Sequence, residues 1–356
     1  MAKKILVAAL DWGIGHASRC VPIITDLQKQ GAQVYLAASG RAYHFFQKEF
    51  PNLPLFHLAQ HNFKYYSNNM VMNMAIQWPK IVYAIWKDQQ LIRQIVKEYQ
   101  INGIISDNRF GCFHQKVHSV FMSHQLHLKL PALPLANWVF NQQLNHRFIQ
   151  NFDACWVPDS NGLFSLSGNL SQPPLPIPTS YLGILSRLQP LSTDFQYEYL
   201  FLLSGPEPQR TRLEQKLLNA LPYLKGKVLL VQGKTEQLEQ KQEQRLEVRS
   251  FLTSKDLAKA IASSRRIICR SGYSTLMDLV KMNRTALLIP TPGQTEQEYL
   301  AKSLSEKGFF TMQSQKNLNL ENPDRYFIEN VDFSSWNPIT KLSETIADFL
   351  LQCGNR

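Results

Sequence analysis

The chain has 356 residues, too many for one ordinary hydrophobic core and enough for two domains of about 150 residues each. With 44% apolar and 18% charged residues it is a globular protein, and no apolar run reaches the roughly 18 residues that would span a bilayer. The net charge of +11 is spread along the chain without a Lys/Arg block, which excludes the footprint of a nucleic-acid-binding protein and favours a phosphorylated substrate or an anionic membrane leaflet.

In chain order, Met1 to Gly13 could pass for a signal peptide, since two lysines precede an apolar run. The run Ile5–Leu10 is too short for that role and ends at Asp11, so it is read as the first strand. An amphipathic helix over Ser18–Gln30, ending at Gly31, and a strand over Val34–Ala38 follow, with Phe56–Leu58 a third strand. Helical spacing of Ile81, Val82, Ile85, Leu91, Ile92, Ile95 and Val96 predicts a helix over Pro79–Tyr99. Gly103–Ser106, Ser119–Met122 and Ala154–Val157 read as strands. Such alternation implies a parallel sheet. Ser165–Pro178, rich in Ser, Gly and Pro, reads as a linker. A second α/β unit then begins near Tyr197. It has strands at Leu200–Leu203, Val228–Val231 and Val248–Phe251, helices at Gln209–Ala220 and Lys255–Ser263, and a charged, solvated stretch at Glu236–Arg245. A last helix is expected over Ser335–Leu351.

The most informative stretch is Arg266–Tyr299. A short strand (Ile267, Ile268, Cys269) runs through Arg270-Ser271-Gly272 straight into a helix that also carries Ser274 and Thr275. That layout sets backbone N–H groups and the positive end of a helix dipole against an anion. The next strand, Ala286–Ile289, stops at Pro290, and a polar loop with Gln294, Glu296, Gln297 and Glu298 follows at the edge where α/β folds hold ligands. The pairing suits a phosphate beside a hydroxyl-rich group.

In the first half, Asp11-Trp12-Gly13-Ile14-Gly15-His16-Ala17-Ser18-Arg19 joins the first strand to the first helix. The third glycine of the dinucleotide fingerprint is missing and no acidic residue ends the second strand, which disfavours NAD or FAD. His16 stands at the start of the helix and is a candidate base or surface cap. Asp107, ending Ile104-Ile105-Ser106-Asp107, is the other candidate base or a loop cap. Five scattered cysteines (Cys20, Cys112, Cys155, Cys269, Cys353) without a CxxC exclude a disulfide frame or zinc site and imply reduced thiols and a cytoplasmic protein. His114, His118, His124 and His127 lack a completing Cys or carboxylate, so no metal site is expected, and His124 is placed at the ligand edge.

On these residues the chain resembles the GT-B glycosyltransferases, and within them glycosyltransferase family 28, which includes the N-acetylglucosaminyltransferase of peptidoglycan lipid synthesis and the plant galactolipid synthases. The sharpest match is Val248–Tyr299. The resemblance implies two Rossmann-like α/β domains with parallel sheets facing across a cleft. Residues 1–164 would take the acceptor, 165–195 link, 196–334 take the nucleotide-sugar, and 335–356 cross back to the first domain. It implies acceptor contacts from Gly13, Gly15, His16, Arg19, Arg109 and His124. It implies donor contacts from Arg187, Ser204, Gly205, Arg210, Phe251, Leu252, Arg270, Ser271, Gly272, Tyr273, Ser274, Thr275, Asp278, Gln294, Gln297 and Glu298. Asp278 stands where the family has a ribose-binding Glu, and Gln297-Glu298 where the peptidoglycan enzyme has Gln-Gln; the change to Glu298 removes two donors and argues against N-acetylglucosamine.

The implied reaction is inverting, with His16 or Asp107 as base and the helix dipole, Arg270, Arg187 and Arg210 meeting the leaving-group charge. No Asp-x-Asp pair is present, so no cofactor and no Mg²⁺ or Mn²⁺ is expected. The expected partners are a UDP-sugar donor and a sugar or lipid-linked acceptor. Met70–Trp86, with Lys64, Lys80 and Lys87 nearby, reads first as core; exposed, it would be a membrane patch for a lipid-linked acceptor. A UDP-sugar 2-epimerase and a non-catalytic nucleotide-sugar-binding protein are the alternatives.

Overall fold

The computed structural model describes residues 2–60, 70–126, 146–162, 164–172, 175–235, 239–329, 331–336 and 341–354. The chain divides into two compact units, residues 1–185 with 338–356, and residues 186–337. Lys64 and His127 lie outside the described residues, as do the side chains of Met70 to Ile76.

The first unit is built on a seven-stranded parallel sheet in the order β3-β2-β1-β4-β5-β6-β7. Its strands are β1 (Lys4–Ala9), β2 (Gln33–Ala38), β3 (Leu55–His57), β4 (Gly103–Asp107), β5 (His118–Met122), β6 (Ala154–Val157) and β7 (Thr179–Tyr181). The apolar runs are continuous, not alternating, because helices cover both faces: Ile5 to Ala9 and Ile104 to Ile105 are fully buried. The helices are α1 (Gly15–Lys29), α2 (Gly40–Glu49), α3 (Met70–Tyr99) and the single turn α4 (His146–Ile149). Two prolines that would ordinarily end a helix are carried inside: Pro22 in α1 and Pro79 in α3. α2 has no sequence forecast above; its Phe45 and Phe46 are fully buried.

The order reverses at β1, with β2 on one side and β4 on the other, so the carboxyl ends of β1 and β4 flank the switch point where such sheets bind ligands. The exits are Asp11–Ile14 from β1 and Asp107–Arg109 from β4.

The expected linker is not free. Asp159, fully buried, accepts hydrogen bonds from Ser160 N (2.7 Å), Ser165 Oγ (2.8 Å), Leu166 N (2.9 Å) and Ser167 N (2.9 Å), pinning the serine-rich segment. β7 then adds to the sheet beside β6, so this segment belongs to the first unit. The serines are there to satisfy a buried carboxylate, not to confer flexibility.

The second unit has a seven-stranded sheet, β10-β11-β9-β8-β12-β13-β14, parallel except for the antiparallel β10–β11 pair. Its strands are β8 (Tyr197–Leu202), β9 (Val228–Val231), β10 (Gln240–Glu243), β11 (Leu246–Arg249), β12 (Ser264–Cys269), β13 (Leu287–Leu288) and β14 (Thr311–Met312). Part of the charged stretch expected to be solvated forms the exposed edge strand β10, where charges block further pairing. The helices are α5 (Gln209–Asn219), α6 (Ser254–Ala262), α7 (Tyr273–Lys281) and α8 (Thr295–Glu306). Here the reversal falls at β8, between β9 and β12.

The last helix, α9 (Leu342–Gln352), belongs to the first unit. Phe349 packs edge-on against Trp156 at 5.5 Å, and Gln30 Nε2 donates to Ser343 O at 2.9 Å. A Cβ on Gly103 would lie 2.4 Å from Cys353 Sγ and 2.7 Å from the Phe349 ring, so glycine is what lets β4 and α9 approach.

Candidate functional site

In the first unit the β1 exit turns at Gly13, whose φ of +85° a side chain would strain. α1 then starts without a side-chain cap and without an acidic residue in its first turn. His16 is its second residue. Its Nδ1 lies 2.9 Å from Oδ1 of Asp107, the last residue of β4. Gly15 is held through its carbonyl, which accepts from Ser18 Oγ at 2.9 Å.

Asp107 is fully buried. Burial alone would push its carboxyl up, but the Arg19 guanidinium and His16 outweigh it and hold the group at about 2. Arg19 Nε donates to Asp107 Oδ2 at 2.6 Å while its Nη2 reaches Oδ1. Arg19 Nη2 is also 2.9 Å from His16 Nδ1, and Arg19 Nη1 is 2.6 Å from His124 Nδ1. Cys20 Sγ, 3.7 Å from Asp107 Oδ2, is pushed well above its ordinary range by burial. One cluster thus joins the head of α1 to the carboxyl end of β4 and the exit of β5.

Its geometry revises three sequence assignments. Arg19 and His124, read as acceptor contacts, are 2% and 5% exposed and face each other inside the unit. Arg109, the third, is 1% exposed: it donates from Nε to Asp88 Oδ2 at 3.0 Å and from Nη1 to Ser39 Oγ at 3.2 Å, tying the β4 exit to α3 and to the end of β2. Its partner Asp88 had no role in the sequence reading. Nothing local marks it, since 21 residues separate the pair. Burial pushes the Asp88 carboxyl up to about 6 although Arg109 draws it down.

In the second unit, Ser204 and Gly205 follow β8, with Gly205 at φ +100°. A Cβ on Gly205 would sit 3.5 Å from Thr291 Oγ1, a buried hydroxyl without a hydrogen-bond partner among the described residues. Gly233, after β9, has φ +71°, and a Cβ there would collide with Leu203 O at 2.5 Å. On the far side of β8, Gly272 caps α7 without a side-chain bond, so the first-turn amides lie at the sheet's carboxyl edge. Ser274 and Thr275 are half-buried in that turn, and Tyr273 is buried.

The expected polar loop is largely the first turn of α8, beginning after Gln294. Gln297 Oε1 accepts from Thr291 N at 2.9 Å, its carbonyl accepts from Ser271 Oγ at 2.8 Å, and Glu298 Oε1 accepts from Gly293 N at 3.0 Å. Asp278 is buried, accepts from Ser186 Oγ at 2.6 Å, and is pushed up to about 6 by burial against the pull of Arg187. Arg187 Nη1 lies 3.3 Å from Ser254 Oγ at the start of α6. Phe251 and Leu252 follow β11, buried and half-buried.

Two of the arginines assigned to leaving-group charge are engaged elsewhere. Arg270, 1% exposed, donates to the carbonyls of Ile289 (3.1 Å), Pro290 (3.2 Å) and Gln209 (2.8 Å), and burial lowers it to about 10. Arg210, 3% exposed, is paired with Glu207 and Glu214 on its own helix turn. Arg270 stitches the loop after β13 to the start of α5, and Arg210 braces the first turns of its own helix. At the sheet's carboxyl edge stand the first turn of α7 with Ser274 and Thr275, and Gly205 beside Thr291, of which the sequence reading had not named Thr291. Thr291 carries no motif; its signal is tertiary. Among the described residues no group of three or more His, Cys, Asp or Glu is placed to hold a metal.

Comparison with known proteins bears on the second unit and on the fold. Residues 208–325 match the glycosyltransferase family 28 C-terminal domain. A 77-residue segment is 38% identical to the UDP-N-acetylglucosamine–N-acetylmuramyl-(pentapeptide) pyrophosphoryl-undecaprenol N-acetylglucosamine transferase of Sinorhizobium fredii; it covers 21% of this chain and 20% of that protein, so the match spans a fifth of the relative's length. Among solved structures, the glycosyltransferase SnogD of Streptomyces nogalater aligns with a TM-score of 0.64 at 12% identity over 99% of this chain and 100% of its own. MurG of Acinetobacter baumannii aligns with a TM-score of 0.56 at 15% identity, over 99% of this chain and 100% of its own. The fold is GT-B. Within it, the second unit is similar to the family 28 C-terminal domain over residues 208–325.

Proposed function

We propose that the protein is an inverting glycosyltransferase that moves a sugar from a UDP-linked donor to the hydroxyl of a lipid-linked acceptor without a metal. The observation that carries the reading is the His16–Asp107 pair, 2.9 Å apart at the head of α1, in a chain whose other unit is similar to the family 28 C-terminal domain. Asp107 is buried and spends its oxygens on Arg19 and His16, so His16 is the base and Asp107 orients it. His16 takes the proton of the acceptor hydroxyl, the freed oxygen forms a bond to the anomeric carbon, and the carbon–oxygen bond to the diphosphate breaks from the opposite face. The negative charge on the departing UDP is met by the first-turn amides of α7 with Ser274 and Thr275. Thr291 Oγ1, buried with no bond partner among the described residues, is available to a donor oxygen beside Gly205. Asp278 is assigned to the ribose, and Glu298 favours a sugar other than N-acetylglucosamine.

The lipid-linked acceptor rests on α3. Val82, Tyr83 and Trp86 are 43%, 55% and 55% exposed, Lys80 and Lys87 are exposed beside them, and Tyr83 stacks on Trp86 at 6.0 Å. This face is not the core that its helical spacing first suggested. An apolar strip flanked by lysines suits the headgroup boundary of an anionic membrane, with the protein peripheral on its cytoplasmic face. Among the described residues no helix is long and apolar enough to cross a membrane.

The first test is a thermal-shift titration in chelator with UDP, GDP, dTDP, ADP and their sugar conjugates, followed by assay of UDP release in the presence of polyprenyl-linked acceptors. Selective stabilisation by UDP, increased by one sugar, is expected. No response to any nucleotide would remove the donor-site reading. Release of free UDP with a 2-epimerised sugar and no acceptor would replace transfer by epimerisation.

A further inference from the structure

The cluster around Asp107 holds a conflict in proton placement. Arg19 can only donate, so the 2.6 Å contact between its Nη1 and His124 Nδ1 makes that nitrogen an acceptor and puts the His124 proton on Nε2. His16 Nδ1 lies 2.9 Å from both Asp107 Oδ1 and Arg19 Nη2. It can donate to the first or accept from the second, but not both. The carboxylate is stripped of water, since Asp107 is fully buried, and its two oxygens already take Arg19's fork. A nitrogen lone pair aimed at that carboxylate would be repelled, whereas an N–H toward it is a charge-assisted bond.

We infer that Arg19 is a positioning residue that gives the two histidines opposite tautomers: by holding Asp107 ionised it places the His16 proton on Nδ1 and leaves Nε2 bare, and by donating to His124 it places that ring's proton on Nε2. This deepens, and for its catalytic consequence rests on, the reading of His16 as base. An arginine buried three residues after the base, read from sequence as an acceptor contact, thereby acts on the reaction without touching a substrate. The titratable groups around His16 in this cluster are Asp107 of β4, Arg19 and Cys20 of α1, and His124 beyond β5.

The test is nitrogen-15 imidazole NMR on the full chain labelled at histidine, with His16 and His124 assigned through His16→Gln and His124→Gln. Wild-type protein should show His16 as Nδ1–H and His124 as Nε2–H at neutral pH. In Arg19→Gln, His124 should become a tautomer mixture. Without the guanidinium fork that orders Asp107, the His16 proton is no longer fixed on Nδ1, so kcat should fall while KM holds. If Arg19→Gln does not fold, Arg19→Lys keeps the charge but not the fork. It should retain the His16 tautomer and release that of His124. A wild-type His124 carrying its proton on Nδ1, a wild-type His16 carrying its proton on Nε2, or tautomers that survive Arg19→Gln would overturn the inference. The spectra need no substrate. Opposite tautomers in a protein without transferase activity would sink the transferase reading alone, and active enzyme with matching tautomers would sink this one alone.

Discussion

Breaking the Arg19–Asp107 pair from one side should cost far more than removing it whole. Both side chains are essentially sealed, at 1% and 0% exposure. Two unit charges about 4 Å apart at an effective dielectric of about 20 attract by about 4 kcal/mol, and stranding one member of a buried pair costs about 3–5 kcal/mol. Asp107→Asn keeps the shape and removes the charge, so it should destabilise the first unit by about 3–5 kcal/mol, as should Arg19→Met. In the double variant neither charge is stranded, and its cost should fall at least about 2 kcal/mol short of the sum. Urea unfolding of the four proteins, followed by a probe in the first unit, gives the coupling directly. If the single costs add to within about 0.5 kcal/mol, the two side chains are not a coupled buried pair and the account of the cluster fails.

Further outcomes follow from other contacts. His16→Ala should lower kcat by roughly 10²–10⁴-fold in a UDP-release assay, while nucleotide-induced thermal stabilisation, assigned to the second unit, is unchanged; equal losses of both would show that His16 is not a base. Gly103→Ala drives a Cβ to 2.4 Å from Cys353 Sγ. Overpacking of about 1–3 kcal/mol should lower the melting temperature of the first unit by several degrees, partly recovered by adding Cys353→Ala. Asp278, at about 6, binds its proton more tightly folded than unfolded. Its contribution to stability is therefore present below pH about 4 and lost as the pH rises through about 6. Asp278→Asn, which can still accept from Ser186, should flatten that fall and leave the variant more stable than wild type at pH 8 in paired urea titrations; a parallel pH profile would refute it.

Alternation of apolar runs with helical periodicities was legible in the chain and gave two parallel α/β units, because a strand buried on both faces must be apolar throughout. Glycine placement was equally legible: Gly13, Gly205 and Gly272 mark turns at the carboxyl ends of β1, β8 and β12, where ligand sites of this architecture form. Helix 295–306 was read in part as loop because its first turn is polar on the side that bonds to Thr291 and Gly293. The serine-rich stretch passed for a linker because composition does not reveal a buried Asp159 waiting for donors.

What the chain could not disclose was which way its arginines point. Arg19, Arg109, Arg210 and Arg270 all stand in segments that look like anion sites, and all four are buried against carboxylates or carbonyls. A guanidinium meets the same hydrogen-bonding demand with a substrate phosphate or with the protein's own oxygens. The choice is made by partners such as Asp88 and Asp107, 21 and 88 residues away along the chain. Local sequence determined where the glycine turns fall at the sheet edges, and only the long-range packing that buries those partners decided which side chains are spent inside the fold.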